Sequence, residues 1–124
     1  MIEPELIVDI KRIAETRTIT EEDGGYRVGA AVPGAELKEH PSFSKTWPGV
    51  VYAVDLIGST QIQGRCTMAG NLCNASPAGD SVPAMVAAGV IARIAGPNGT
   101  RDVPAEEVPT VSYTHLTLPT ICSV

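Results

Sequence analysis

The residue types most able to do chemistry are gathered in one stretch, Thr67-Met68-Ala69-Gly70-Asn71-Leu72-Cys73-Asn74-Ala75-Ser76-Pro77-Ala78-Gly79-Asp80. Small residues, hydroxyls, amides and one carboxylate lie there between two apolar segments. That composition suits a binding loop better than a core. The short side chains of Ala69 and Gly70 let main-chain N–H groups approach an anion closely. Asp80-Ser81-x-Pro83 then opens an apolar run, so Asp80 or Ser81 can cap a helix whose first turn holds Pro83. A pyrophosphate is the kind of ligand such a loop would hold.

Other chemistries find little to build on. Cys66, Cys73 and Cys122 show no C-x-x-C spacing, so neither a zinc site nor an iron–sulfur cluster is readable in this chain, and the expected metal ligands are none. The two histidines, His40 and His115, provide no nucleophile–histidine–carboxylate set, and no catalytic residue is assigned. Glu106 and Glu107 are adjacent, so on any regular element they diverge. With 9 Lys and Arg against 14 Asp and Glu, the net charge of −5 leaves no basic stripe for nucleic acid. No run is long enough to span a bilayer, and the start of the chain shows no basic, then apolar, leader; the expected location is cytoplasmic.

The elements that must position the loop follow from periodicity. Glu5-Leu6-Ile7-Val8-Asp9-Ile10 reads as a strand and residues 11–16 as a helical turn. Two runs flanking Glu22-Asp23-Gly24-Gly25 predict a β-hairpin. Residues 33–37 begin a short helix that His40-Pro41 breaks, and apolar residues at 50, 51, 54 and 57 predict an amphipathic helix on a sheet, with Phe43 and Trp47 as packing anchors. Arg65 reads either as a contact to a partner or phosphate or as a surface side chain. After the loop, residues 81–89 read as a helix of small residues, and two runs about Gly96-Pro97-Asn98-Gly99 predict a second hairpin. The fold class is α+β, in one domain.

The spacing Gln61-x-Gln63-x-Arg65-x-Thr67-x-Ala69-Gly70-Asn71, followed by Ala75-Ser76-Pro77-x-x-Asp80-x-x-Pro83-Ala84, resembles the second flavin-binding segment of the FAD-binding (medium) subunit of molybdenum hydroxylases, the group that includes xanthine dehydrogenase and carbon monoxide dehydrogenase. The resemblance covers residues 5–110. It implies a fragment of a two-subdomain, PCMH-like FAD-binding domain with a mixed sheet and packed helices. It implies FAD as cofactor, and places Thr67 with the backbone of Ala69 and Gly70 against the FAD phosphates. Asn71 would donate from its amide, and Asp80 would accept from ribityl or ribose hydroxyls; helix capping is the competing role for Asp80. Ile57 would supply an apolar contact to the flavin. Ala69 stands where the family has a glycine, which its methyl tolerates only at negative φ.

The same resemblance implies an electron-transfer role. Such subunits pass electrons from iron–sulfur clusters on a small subunit through FAD to an acceptor, the substrate being hydroxylated at molybdopterin on a large subunit, so a hetero-oligomer is expected. An earlier glycine-rich loop of the family is absent ahead of residue 6. Residues 111–124 resemble the translation of a transposon-based sequencing adaptor and are expected to be non-native, leaving residues 1–110 as the partial FAD-binding domain. The isolated fragment is expected to be inactive as an oxidoreductase, and the alternative is a non-catalytic interaction fragment that binds no flavin by itself.

Overall fold

The computed structural model describes residues 3–109 and the backbone of residues 120–123. Two 3-10 turns, Ile10–Arg12 and Ala14–Arg17, lead into strand β1 (Ile19–Glu22) and β2 (Gly25–Val28). Six short helices follow: α1 (Gly34–Glu39), α2 (Pro41–Thr46), α3 (Pro48–Asp55), α4 (Thr60–Gln63), α5 (Met68–Asn74) and α6 (Val82–Ala87). Strands β3 (Ile91–Gly96) and β4 (Gly99–Pro104), a 3-10 turn and β5 (Thr120–Ser123) complete the order.

Both predicted hairpins form, for the reasons read in the sequence. Between β1 and β2 only Asp23 and Gly24 turn the chain, at φ 53° and 79°, the two positive values that match a tight turn to the twist of its strands. The β3–β4 turn closes on Gly99 at φ 112°. The strands lie in the order β1-β2-β5-β3-β4, and where a mixed sheet was expected every described pairing is antiparallel. For the two tight hairpins nothing else is possible, since parallel neighbours need a crossover; β5 pairs with β2 and β3 across longer connections.

Proline punctuates the helical layer. Pro41 opens α2 and Pro48 opens α3, each in a first turn where its missing N–H costs no bond. His40 caps α2, its Nδ1 accepting from the Phe43 amide at 3.1 Å. Val50 and Val54 of α3 are buried, as their spacing predicted, and Val51 and Ile57 pack at the border of the core. The core joins Leu37, Phe43, Met68, Leu72 and Met85 of the helices to Tyr26, Val28 and Ala92 of the sheet. Phe43 meets the Tyr26 ring edge-on, centroids 5.3 Å apart, while Trp47 packs at the border.

Two sequence expectations are corrected. Residues 5–9 form no strand, and Leu6, Ile7 and Val8 are 78, 81 and 68% exposed. A strand needs a ladder partner, and among the described residues none lies beside this segment. The helix expected over 81–89 is confined to Val82–Ala87, ending before Gly89 turns the chain at φ 69°. Residues 110–119 and 124, with most of the expected adaptor-like tail, lie outside the described residues.

Candidate functional site

The stretch expected to be a loop is half helix. Thr67, at φ −133° and ψ 154°, caps α5: its Oγ1 accepts from the Gly70 amide at 2.8 Å and its carbonyl accepts from the Asn71 amide at 3.0 Å. At helical spacing, Met68, Ala69 and Leu72 then point inward and are buried, while Gly70 is exposed and Asn71 half-buried. Thr67, Gly70 and Asn71 share the outer face, as positions i, i+3 and i+4 must.

This geometry reassigns the backbone groups. The Gly70 N–H is satisfied within the helix by Thr67, so the amides of the first turn with no acceptor among the described residues are those of Met68 and Ala69. Ala69 is 4% exposed and lies in the core cluster, so its methyl faces away from the outer surface. Its helical backbone has negative φ, which removes the objection to alanine at a family glycine position.

Asn71 does two things. Its Oδ1 accepts from the Ser81 amide at 3.1 Å and from Ser81 Oγ at 2.6 Å. Because a backbone N–H can only donate, the atom facing Ser81 is the oxygen, and Nδ2 is left without an acceptor among the described residues. The bond ties the start of α6 to the outer face of α5. Between them Ala75 ends α5 in the left-handed region at φ 52°, Ala78 donates to Ser76 Oγ, and Gly79 is buried where a Cβ would lie 3.4 Å from Asn71 Oδ1. Asp80 is thereby held next to Ser81, exposed, its carboxylate unpaired among the described residues. It caps no helix: Ser81 occupies the cap position of α6, and even its side chain makes no capping bond.

The structure thus brings Thr67, Gly70, Asn71 and Asp80 to one surface. Ile57 sits apart on the chain, between α3 and α4, its side chain against the edge of the core. Arg65 resolves to a surface ion pair, Nη2 lying 3.3 Å from Asp9 Oδ2. The Lys11 amide and then Arg65 hold the Asp9 carboxyl below its ordinary value. Burial pushes the Cys66 thiol up, so it stays protonated at neutral pH.

Three residues whose roles sequence reasoning missed support this surface; the sequence marks Ser81 only as a possible helix cap and Gln63 only as part of the motif spacing. Ser81 is wholly buried as the anchor of Asn71. Gln63, 7% exposed, donates from Nε2 to the carbonyls of Val54, Asp55 and Ile57 at 3.1, 3.3 and 2.7 Å. Gly34 donates its amide to the Cys66 carbonyl at 2.9 Å, so close that a Cβ there would sit 2.5 Å from Gln63 Oε1. The only local signal for these roles was a polar residue or a glycine near a helix end, which does not say which distant group it meets. Among the described residues no cluster of His, Cys, Asp and Glu could hold a metal ion, and no helix is long and apolar enough to cross a membrane.

The sequence matches the FAD binding domain in molybdopterin dehydrogenase over residues 1–118. It is 33% identical over 104 residues to the carbon monoxide dehydrogenase medium chain of Hydrogenophaga pseudoflava, covering 84% of this chain and 36% of that one. It is 30% identical over 100 residues to the nicotinate dehydrogenase FAD-subunit of Eubacterium barkeri, covering 81% and 34%. The chain spans about a third of the length of these relatives. Its fold superposes on the Hydrogenophaga pseudoflava carbon monoxide dehydrogenase structure with a TM-score of 0.85 at 29% identity, covering 94% of this chain and 42% of that one. On quinoline 2-oxidoreductase from Pseudomonas putida 86 the TM-score is 0.87 at 23% identity, covering 99% and 45%, a likeness of fold. With the fold in agreement with the sequence match, this chain belongs to the family of FAD-binding domains of molybdopterin dehydrogenases.

Proposed function

We propose that this chain forms one side of the FAD site in the electron-transfer subunit of a molybdenum-containing hydroxylase or dehydrogenase. The observation that carries the reading is the outer surface of α5, where exposed Gly70, half-buried Asn71 and exposed Asp80, whose carboxylate has no partner among the described residues, lie near a first helical turn whose Met68 and Ala69 amides have no acceptor among the described residues. These groups fit the cofactor's polar parts. The first turn of α5 carries no acidic residue, which suits phosphate beside the N–H groups of Met68 and Ala69. Asp80 is an acceptor that repels phosphate and suits hydroxyls of ribose or ribityl. Thr67 contributes mainly by capping the helix, with its hydroxyl hydrogen free to donate outward. Ile57 supplies the apolar contact.

FAD, when bound, supplies the redox chemistry; the protein holds and orients it. This chain's own residues act on no bond, in keeping with the absence of an assigned nucleophile or general acid. The reading includes an iron–sulfur small subunit and a molybdopterin large subunit as partners in a cytoplasmic hetero-oligomer. Exposed Tyr52 of α3 and Leu56 at its C-terminal cap, and exposed Leu6, Ile7 and Val8, favour such contacts, since apolar patches of this kind mark interaction surfaces. The same exposure favours the second reading, an interaction fragment that binds no flavin unaided. Residues 111–124 are read as a non-native tail, which an independent long DNA read across the codon for Thr110 tests.

The functional test is flavin absorbance of the complete subunit carrying Asn71→Asp or Asp80→Ala. Asn71→Asp keeps the acceptor for Ser81 and removes the donor. Lower FAD retention in both, with unchanged circular dichroism, is expected; unchanged retention in both sinks the proposal. Flavin absorbance of the purified 124-residue chain separates the two readings.

A further inference from the structure

Gln63 joins two parts of the molecule that the chain leaves apart. The carbonyls of Val54, Asp55 and Ile57 belong to the end of α3 and the residues just after it, where the intrahelical ladder runs out; the Val54 carbonyl also accepts from the Ile57 amide at 3.0 Å. The Gln63 amide has two N–H bonds and meets all three, closest to Ile57 at 2.7 Å. One hydrogen is therefore shared. On the other side of Gln63 the approach to Thr67 is stapled: the Arg65 and Cys66 amides both donate to the Ile62 carbonyl at 2.8 Å, and the Cys66 carbonyl accepts from Gly34. Gly34 admits the Gln63 side chain only because it has no Cβ.

We propose that Gln63 is a positioning residue for the cofactor surface, fixing the Ile57 turn relative to the capped start of α5. The proposal rests on the flavin reading above for its function, and on the hydrogen bonds for its geometry. Ile57 precedes α4 in the chain and Thr67 follows it, and the Gln63 amide is a buried link from α4 to the Ile57 backbone. A carbonyl clamp made by two hydrogens is lost entirely in an apolar side chain of similar size. The consequence is a turn free to drift and a site whose apolar and polar contacts lose their spacing. Small misplacement of this kind weakens binding more than it weakens the core.

The test compares Gln63→Leu with Val28→Ala, a buried β2 substitution that lowers stability away from α4. In the 124-residue chain, amide exchange is followed at Ile57, bonded to Val54, and at Asn71, bonded to Thr67. In the complete subunit, the FAD dissociation constant is measured. Gln63→Leu is expected to speed exchange at both amides by about tenfold beyond the change in Val28→Ala, and to weaken FAD by about tenfold where Val28→Ala leaves it unaltered. Equal changes in the two variants, or faster exchange at Ile57 alone, overturn the proposal. A complete wild-type subunit that binds no FAD overturns the flavin reading instead, and the exchange at Asn71 then decides whether Gln63 positions α5.

Discussion

Asn71→Ala is expected to destabilise the fold before any ligand is considered. The substitution deprives Ser81, which is 0% exposed, of the acceptor for both its amide and its hydroxyl. A buried donor left unpaired costs about 1–3 kcal/mol. The hydroxyl keeps a weak contact to Met85 Sδ at 3.9 Å, which places its share at the lower end. Alanine's better helix propensity returns roughly 0.5 kcal/mol within α5. The net loss is about 2–3 kcal/mol, a fall in Tm on the order of 10 °C for a domain of this size. Asn71→Asp retains the acceptor and is expected to lie within about 1 kcal/mol of wild type. Thermal unfolding followed by far-ultraviolet circular dichroism reads both values. Urea unfolding of Asn71→Ala, Ser81→Ala and the double variant then isolates the hydroxyl bond, with a coupling of about 1 kcal/mol expected. A Tm fall under about 2 °C for Asn71→Ala refutes the argument that this side chain joins α5 to α6, and additive single variants refute the share given to the hydroxyl bond.

Gly34→Ala sets a methyl 2.5 Å from Gln63 Oε1 and 2.8 Å from Val54 Cγ1, and is expected to cost about 1–3 kcal/mol in urea unfolding, with exchange at the Ile57 amide accelerated as the Gln63 clamp is pushed aside. Acid is expected to weaken the fold through Asp102 and Asp9. Their carboxyls titrate below the ordinary 3.8, Asp102 because of the Arg93 hydrogen bond and Asp9 chiefly because of the Lys11 amide. Folded pKa values below the unfolded ones give stability that is present above pH 3.8 and lost as pH falls through the folded values. Asp102→Asn should flatten that acid limb in a pH series of unfolding midpoints, and an unaltered limb counts against the ion pair.

Local rules made much of the fold readable. Asp-Gly between alternating runs specifies a two-residue hairpin because both residues tolerate positive φ, and Asp23 and Gly24 adopt it. His40-Pro41 separates two helices because proline has no amide to donate, and the 50/54 spacing marks a buried face because it matches one helical turn. The strand expected at residues 5–10 fails under the same logic. Its residue types favour extension, but a strand is stabilised by a neighbour, and the described residues provide none.

The amino-acid sequence alone carried the family, the hairpins and the helix breaks, because each is written in residue types at short, fixed spacing, and it put forward Thr67, Gly70, Asn71 and Asp80 as candidates. Folding in three dimensions settled what each of those groups is free to do. The Gly70 amide is occupied by Thr67, the Ala69 methyl is turned into the core, and the Asn71 oxygen is taken by Ser81 ten residues away. Gln63 acquires its role the same way, from carbonyls six to nine residues back along the chain. A hydrogen bond uses up a donor or an acceptor, and which one it uses depends on packing between elements that no local pattern records.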